Sequence, residues 1–117
     1  MLSFAPHIRI FLHARPTDMR KSFDGLCGLV RGELRADPLD GSLFLFVNRR
    51  GDRLKMLWWD HDGWALFYKR LESGTFEMLR PEGDAAAVEL DSTTLAMLLS
   101  GVSLDSVKRR KRYARAS

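Results

Sequence analysis

The chain has 117 residues and a formal net charge of +4, with 45% hydrophobic and 29% charged side chains, a balance typical of one globular domain. Its single cysteine, Cys27, excludes an internal disulfide and favours a reducing compartment. No stretch reaches the roughly 18 apolar residues that a membrane span needs, and residues 1–6 lack the pattern of a secretory signal. We therefore expect a cytoplasmic protein with no membrane partner.

A strand followed by a helix is predicted at the N-terminal end. Residues 7–13 alternate weakly and are rich in β-forming side chains, and Pro16 interrupts them. Thr17 or Asp18 is suited to cap the helix, because a short oxygen-bearing side chain accepts hydrogen bonds from exposed backbone N–H groups. The predicted buried face of this helix has spacings of mostly three and four and consists of Phe23, Leu26, Cys27, Val30 and Leu34.

The centre of the chain is predicted to form an antiparallel β-meander. Its first strand is a continuous apolar run, which is typical of a strand covered on both faces. The second strand places Trp58 and Trp59 on opposite faces, and an Asp62-Gly63 turn marks the hairpin that follows. The predicted strands are residues 42–48, 53–59, 64–71 and 75–78.

A short helix and a basic tail are predicted at the C-terminal end. Residues 80–84 are a loop, and the leucines that follow residues 91–94 mark one face of a helix ending near Gly101. The prediction is one α+β domain at residues 1–105, an antiparallel β-meander of about five strands with two packed helices. Residues 106–117 form a basic tail that we expect to be disordered.

The positive charge is concentrated in that tail. Residues 108–117 contain six basic side chains and no acid, whereas residues 1–107 contain 13 basic and 15 acidic side chains, a net of −2. Closely spaced cations bind phosphates by releasing counterions, which gives a salt-sensitive affinity independent of sequence. The alternative is a solvated terminus that maintains solubility. The candidate nucleic-acid contacts in the tail are Lys108, Arg109, Arg110, Lys111 and Arg112.

A second basic group surrounds the turn between the first two central strands and extends to the third. Aromatic side chains such as Trp59, Trp64 and Tyr68 interleave with these charges, and a base stacked on an exposed aromatic ring gains about 1–3 kcal/mol. The alternative is that the aromatic rings are core and the charges protect the sheet edge. The candidate phosphate contacts are Arg49, Arg50, Arg53, Lys55, Lys69 and Arg70.

Several carboxylates raise the question of a metal site. Oxygen ligands that converge can hold Mg²⁺ for phosphoryl transfer. Each aspartate also has a structural explanation, because two flank a helix start and two lie in a tight turn. His7, His13 and His61 lack the spacing of zinc ligands, so we predict no metal and no cofactor. The carboxylates considered are Asp18, Asp24, Asp60, Asp62 and Glu72.

Three ordered blocks resemble the motifs of a known family. They are TDMRKSFDGL at residues 17–26, LFLFVNRRGDRLK at 43–55, and LWWDHDG at 57–63 with FYKRLESG at 67–74. Over roughly residues 8–102 the chain resembles the small accessory proteins encoded by the second reading frame of bacterial insertion sequences of the sixty-six type. It departs from the family after Phe76, where members usually have a Trp-Pro pair.

The resemblance implies a role beside a separate, larger transposase that carries the catalytic acids, so no catalytic residue is assigned. The leading hypothesis is an accessory factor that binds the DNA ends of the element, the transposase, or both, without catalysing strand transfer. One alternative is a protein–protein adaptor without DNA contact, because aromatic residues are enriched at interface hot spots. A metal-dependent nuclease is a further alternative, and a homo-oligomer is left open.

Overall fold

Five strands and two helices are found in residues 7–101, the part of the chain that the computed structural model describes. The α+β class is confirmed, with one five-stranded sheet and two helices. The predicted tail at residues 106–117, including its candidates at 108–112, lies outside the described residues. The strands are β1 (Ile10–His13), β2 (Leu43–Val47), β3 (Arg53–Asp60), β4 (Gly63–Arg70) and β5 (Ala87–Leu90), and the helices are α1 (Phe23–Gly32) and α2 (Ser92–Leu99).

The sheet has the order β4-β3-β2-β1-β5 and is mixed. The predicted antiparallel meander is present in β2, β3 and β4, whose register pairs Phe44 with Leu57 and Leu57 with Leu66. β1 instead runs parallel to β2, with Ile10 beside Leu43. The reason is that α1 carries the chain back across the sheet between the two strands, as a parallel crossover requires.

One predicted strand is replaced by another. Residues 75–78 form no strand, because Phe76 is buried in the core and its backbone N–H donates to Gly51 O at 2.7 Å. The fifth strand is β5, which pairs antiparallel with β1 and places Leu90 beside Ile10. The chain therefore leaves the edge of β4 after the turn at Gly74 and returns at the opposite edge of the sheet.

Each face of the sheet packs against one helix, and β2 is buried along its whole length as predicted for a strand covered on both faces. Trp58 lies on the α2 side and Trp59 on the α1 side, where its ring meets that of Trp64 edge-on at 5.1 Å. The fully enclosed core on the α1 side comprises Leu26, Cys27, Val30, Phe44, Phe46 and Leu57. The core on the α2 side comprises Ile10, Leu12, Leu43, Leu45, Val47, Leu54, Met56, Phe76, Leu90, Leu95 and Leu98.

The start of α1 differs from its prediction. Ser22 occupies the N-cap and its side chain makes no capping hydrogen bond, so the predicted caps, Thr17 and Asp18, are wrong. Thr17 is tied instead to β2, since its N–H donates to Val47 O at 2.8 Å. Asp18 accepts the N–H of Arg20 in a turn ahead of the helix. Burial on the sheet raises the pKa of the Cys27 thiol, which agrees with a small core side chain.

The start of α2 has a side-chain cap. Asp91 Oδ1 accepts the backbone N–H of Thr94 at 2.7 Å, and Leu95 and Leu98 are buried behind it. That backbone hydrogen bond lowers the pKa of the Asp91 carboxyl below its ordinary value. A carboxylate at this position satisfies one of the unpaired N–H groups of the first turn and interacts favourably with the helix dipole.

Asp91 should therefore make stability dependent on acid pH. Because its folded-state pKa is depressed, its contribution is present above the unfolded-state pKa of about 3.9 and is lost as pH falls through the folded-state value. The variant Asp91→Asn keeps an acceptor oxygen but has no carboxylate to protonate. In urea unfolding, the stability advantage of the native chain over Asp91→Asn should shrink between about pH 5 and pH 3. An advantage independent of pH would contradict the assignment, and Asp91→Ala should be less stable than Asp91→Asn at every pH.

Candidate nucleic-acid interface

The arginine turn, which we define as residues 48–53, connects β2 to β3 at one end of the sheet. Asn48 organises it from within, because its Oδ1 accepts the N–H of Arg53 at 3.0 Å and its Nδ2 donates to Asp52 Oδ1 at 2.7 Å. Gly51 has φ +78°, and a Cβ there would lie 3.2 Å from Thr75 Cβ. A glycine is therefore required at this position, both by the backbone conformation and by the neighbouring chain.

The arginine turn is also held from outside. Leu71 N donates to Asp52 O at 2.8 Å, immediately after β4 ends, and Phe76 N donates to Gly51 O at 2.7 Å. These bonds join the turn to the segment that follows β4. The backbone that carries the arginines is therefore fixed before any ligand is bound, so that little backbone entropy would be lost on binding.

A groove of about 550 Å³ separates the arginine turn from the loop that precedes α1. The two carboxylates in its lining, on Asp18 and Asp52, are already engaged with neighbouring protein groups. The side-chain hydrogen bond from Arg20 lowers the pKa of Asp18 to about 2, and the one from Asn48 lowers the pKa of Asp52. The groove is lined by Pro16, Thr17, Asp18, Met19, Asn48, Arg49, Arg50, Asp52 and Arg53.

Three predicted phosphate contacts meet in this groove. Arg49 and Arg50 are exposed, and within residues 7–101 neither they nor Arg53 form an ion pair. Arg53 donates from Nη1 to the Tyr68 hydroxyl at 3.0 Å, and the Tyr68 side chain is 47% exposed. The structure thus brings together three guanidinium groups with unused donors and one exposed aromatic ring.

Arg70 lies next to this group but is compensated. It is directly opposite Arg53 in the β3–β4 register, so two like charges face each other across the strands. Its Nη2 atom pairs with Glu72 Oε1 at 2.8 Å, and the hydrogen bond that it donates to Glu72 raises the pKa of Arg70. The positive charge near the groove consequently comes mainly from Arg49, Arg50 and Arg53.

The two predicted lysine contacts are bound to the protein itself. Lys55 is buried, and its Nζ donates to Met19 O at 2.8 Å and to Lys21 O at 2.6 Å. Lys69 Nζ donates to Leu99 O at 2.6 Å, near the C-terminal end of α2. The first lysine fixes the loop ahead of α1 and the second fixes α2, so both ammonium groups are engaged in positioning helices on the sheet.

Sequence reasoning missed a pair between a buried histidine and an exposed glutamate, which anchors the other end of α1. His13 is 2% exposed, and its Nε2 lies 2.6 Å from Glu33 Oε2. Its Nδ1 lies 2.9 Å from Arg15 O and donates to that carbonyl. Twenty positions separate the two side chains and neither belongs to a motif, so no signal in the sequence could have joined them.

The carboxylates considered for metal binding lie in different parts of the fold. Asp18 borders the groove, Asp24 lies in the first turn of α1, and Glu72 pairs with Arg70. Asp60 and Asp62 are at the tip of the β3–β4 hairpin, the opposite end of these strands from the arginine turn. Among the residues with described positions, no group of three or more His, Cys, Asp or Glu side chains could hold a metal ion. Neither helix in this part of the chain has the length and apolarity to cross a membrane.

Comparison with known proteins identifies the family. A family model described as "IS66 Orf2 like protein" matches residues 8–109. Two relatives from Sinorhizobium fredii (strain NBRC 101917 / NGR234) also match, the uncharacterized proteins y4hO and y4jC. The first is 38% identical over 102 residues, covering 87% of each chain, and the second is 36% identical over 103 residues, covering 88% of this chain and 86% of the relative. No solved structure matches.

The chain therefore belongs to the IS66 Orf2-like family, and the resemblance indicated by the three sequence motifs is confirmed. Membership places it among the accessory proteins of insertion sequences. Two of the three motif blocks form the loop and the turn on either side of the groove, which is lined by residues 17–19 of the first block and by residues 48–50, 52 and 53 of the second.

Proposed function

We propose that the protein assists transposition by binding DNA of its insertion sequence through the arginine turn, beside the transposase and without catalysing strand transfer. The observation that carries this proposal is the convergence of Arg49, Arg50 and Arg53 on one groove, with no ion pair to any of them in the described part of the chain. Guanidinium groups bind phosphate oxygens through two parallel hydrogen bonds, which favours arginine at such sites.

The position of the C-terminal segment supports the same surface. A Cβ at Gly101, the last described residue, would lie 3.1 Å from Leu71 Cδ2, and Leu71 N is bonded to Asp52 O in the arginine turn. The chain thus leaves the described domain beside the turn. The basic run begins at residue 108, and seven residues can span at most about 25 Å. We propose that residues 108–112 add non-specific affinity for the same DNA.

A test compares two triple variants that remove equal charge. The variant Arg49→Gln/Arg50→Gln/Arg53→Gln should bind element-end DNA at least about tenfold more weakly than the native chain in gel-shift titrations. Loss of three phosphate contacts should also reduce the slope of log K against log salt by about 2.7. The matched control replaces exposed arginines away from the groove and should change affinity less than about threefold. It is Arg31→Gln/Arg35→Gln/Arg80→Gln.

The contradicting outcomes are distinct. Equal losses in the two triple variants would show that net charge, rather than the groove, determines the affinity. No binding by the native chain at low salt, with or without the transposase, would overturn the DNA-binding role and leave the protein–protein adaptor. Aromatic side chains along the outer strand β4 favour that second candidate. In that case co-purification with the transposase should be unaffected by the groove variant.

A further inference from the structure

The outer edge of β4 is the most exposed long element of the sheet. β4 is the last strand on its side, and within residues 7–101 it pairs with β3 alone. Its residues Trp64 to Phe67 are all half-buried, whereas two of the four β3 residues opposite them, Met56 and Leu57, are fully buried. An unpaired strand edge of eight residues with an apolar centre is a template for pairing with another strand. Lys69 does not place a charge at this edge that would oppose pairing, because its ammonium group is bound to Leu99 O on the α2 side.

The hydrogen-bonding pattern identifies which groups this edge offers. Leu71 N donates to Asp52 O, toward the β3 side. Backbone groups alternate in direction along an antiparallel ladder, so the odd-numbered residues of β4 bond to β3. The backbone N–H and C=O groups of Trp64, Leu66, Tyr68 and Arg70 therefore point outward.

We propose that a second copy of this chain pairs with this edge, β4 against β4 in antiparallel orientation, with Leu66 on the twofold axis. The two sheets would then become one sheet of ten strands. Trp64 would lie opposite Tyr68 of the partner subunit, a favourable aromatic cross-strand pair. Self-complementary pairing of this kind is what a twofold-symmetric interface requires.

Charge selects this register over its neighbours. With Leu66 on the axis, Asp62 at the hairpin tip lies opposite Arg70 of the partner subunit, so that Asp62 adds a second carboxylate to the guanidinium group that Glu72 already contacts within its own chain. A shift that places Phe67 on the axis would set Asp62 against Glu72 of the partner subunit, which is a pair of like charges. A shift to Ala65 would pair the acidic Asp62 with Tyr68 of the partner subunit and lose the aromatic contact. The acidic tip and the basic end of each β4 strand therefore complement each other only when Leu66 is central.

The oligomeric state of the full chain tests the proposal. In analytical ultracentrifugation the native protein should sediment at twice the chain mass of 13.4 kDa. Leu66→Lys places two ammonium groups together on the axis and should raise the dimer dissociation constant by at least about tenfold, which corresponds to 1.4 kcal/mol. Leu39→Lys, at an exposed loop leucine, is the matched control and should leave the dimer intact.

A charge exchange at exposed positions provides a second test if Leu66→Lys fails to fold. Asp62→Arg alone or Arg70→Asp alone creates like-charge pairs and should weaken the dimer, whereas the double variant should restore it. A native chain that is monomeric at all concentrations, or a dimer unaffected by these variants, would overturn the proposal. The proposal would also be overturned if the edge of β4 bound the transposase and not a second copy of this chain. Gel-shift titration of the monomeric variant tests DNA binding separately from dimer formation. Each chain of that variant keeps its arginine turn, so loss of the dimer does not by itself remove the proposed DNA contacts.

Discussion

Replacement of Phe46 by alanine should lower the free energy of unfolding by about 3–5 kcal/mol, the range for removing a large aromatic side chain from a closed core. Phe46 is 0% exposed and lies between the sheet and α1, in the same enclosed cluster as Leu26 and Leu57. Its ring also meets that of His13 at 5.8 Å. The loss is a large part of the roughly 5–15 kcal/mol of a typical domain, and urea unfolding monitored by tryptophan fluorescence would measure it.

Phe23 supplies the matched control for this prediction. It begins α1 and was predicted to lie on the same buried helical face, yet its side chain is 40% exposed. Phe23→Ala should therefore cost only about 1 kcal/mol, since much less apolar surface returns to water. Equal losses for the two phenylalanines would contradict the placement of α1 on the sheet.

Replacement of Lys55 by methionine should lower the free energy of unfolding by about 2–3 kcal/mol, because hydrogen bonds to charged groups contribute more than neutral ones. The change removes the ammonium group that bonds Met19 O and Lys21 O, and leaves both carbonyls without this donor. It also removes a cation located 4.8 Å from the centre of the Tyr68 ring. Methionine preserves the length of the side chain, so packing is changed little.

The same substitution distinguishes a structural lysine from a DNA contact. Lys69→Met is the control, because the Lys69 ammonium group donates to one carbonyl, Leu99 O, where Lys55 donates to two, so the loss should be about half as large. If Lys55→Met left the unfolding transition unchanged and the folded variant bound DNA tenfold more weakly, Lys55 would be a phosphate contact and not a structural lysine. Measurement of both properties at a temperature where all variants are folded separates these cases.

The meander was predictable from the sequence because its information is local. Its three strands are joined by short turns, so alternation along each strand and the turn residues between them determine register and facing. The position of Trp58 and Trp59 on opposite faces follows from the same alternation. A helix cap was less predictable, since the caps predicted for α1, Thr17 and Asp18, are wrong and the cap of α2 by Asp91 was not among the predictions.

The outer part of the sheet required information that a local pattern does not contain. β5 is only four residues long, and its pairing with β1 joins positions such as Ile10 and Leu90, far apart in the chain. The segment predicted as a strand at residues 75–78 contains β-forming residues. It forms no strand, because the burial of Phe76 in the core fixes the backbone in another position. Propensity alone is overridden where tertiary packing favours another arrangement.

The candidate interface likewise has one part that local sequence patterns predicted and another that they did not. The turn chemistry around Asn48 and Gly51 placed Arg49 and Arg50 correctly at the surface beside a hairpin. Alternation also placed Lys55 on its observed sheet face, but it could not reveal that a loop from another part of the chain covers that position. Whether a lysine meets water or a backbone carbonyl depends on the path of residues 19–21, which no periodicity in the strand records.

The position of β1 inside the sheet has a consequence for how the protein is made. β1 lies near the start of the chain, yet one of its two neighbours is β5 at Ala87–Leu90. The hairpins of β2, β3 and β4 need only residues 43–70. The sheet lacks its last strand, β5, until residue 90 has left the ribosome. Non-local pairing of this kind slows folding. At about 5–20 residues per second, the N-terminal strand waits several seconds with its outer edge unpaired while the rest of the domain is synthesised.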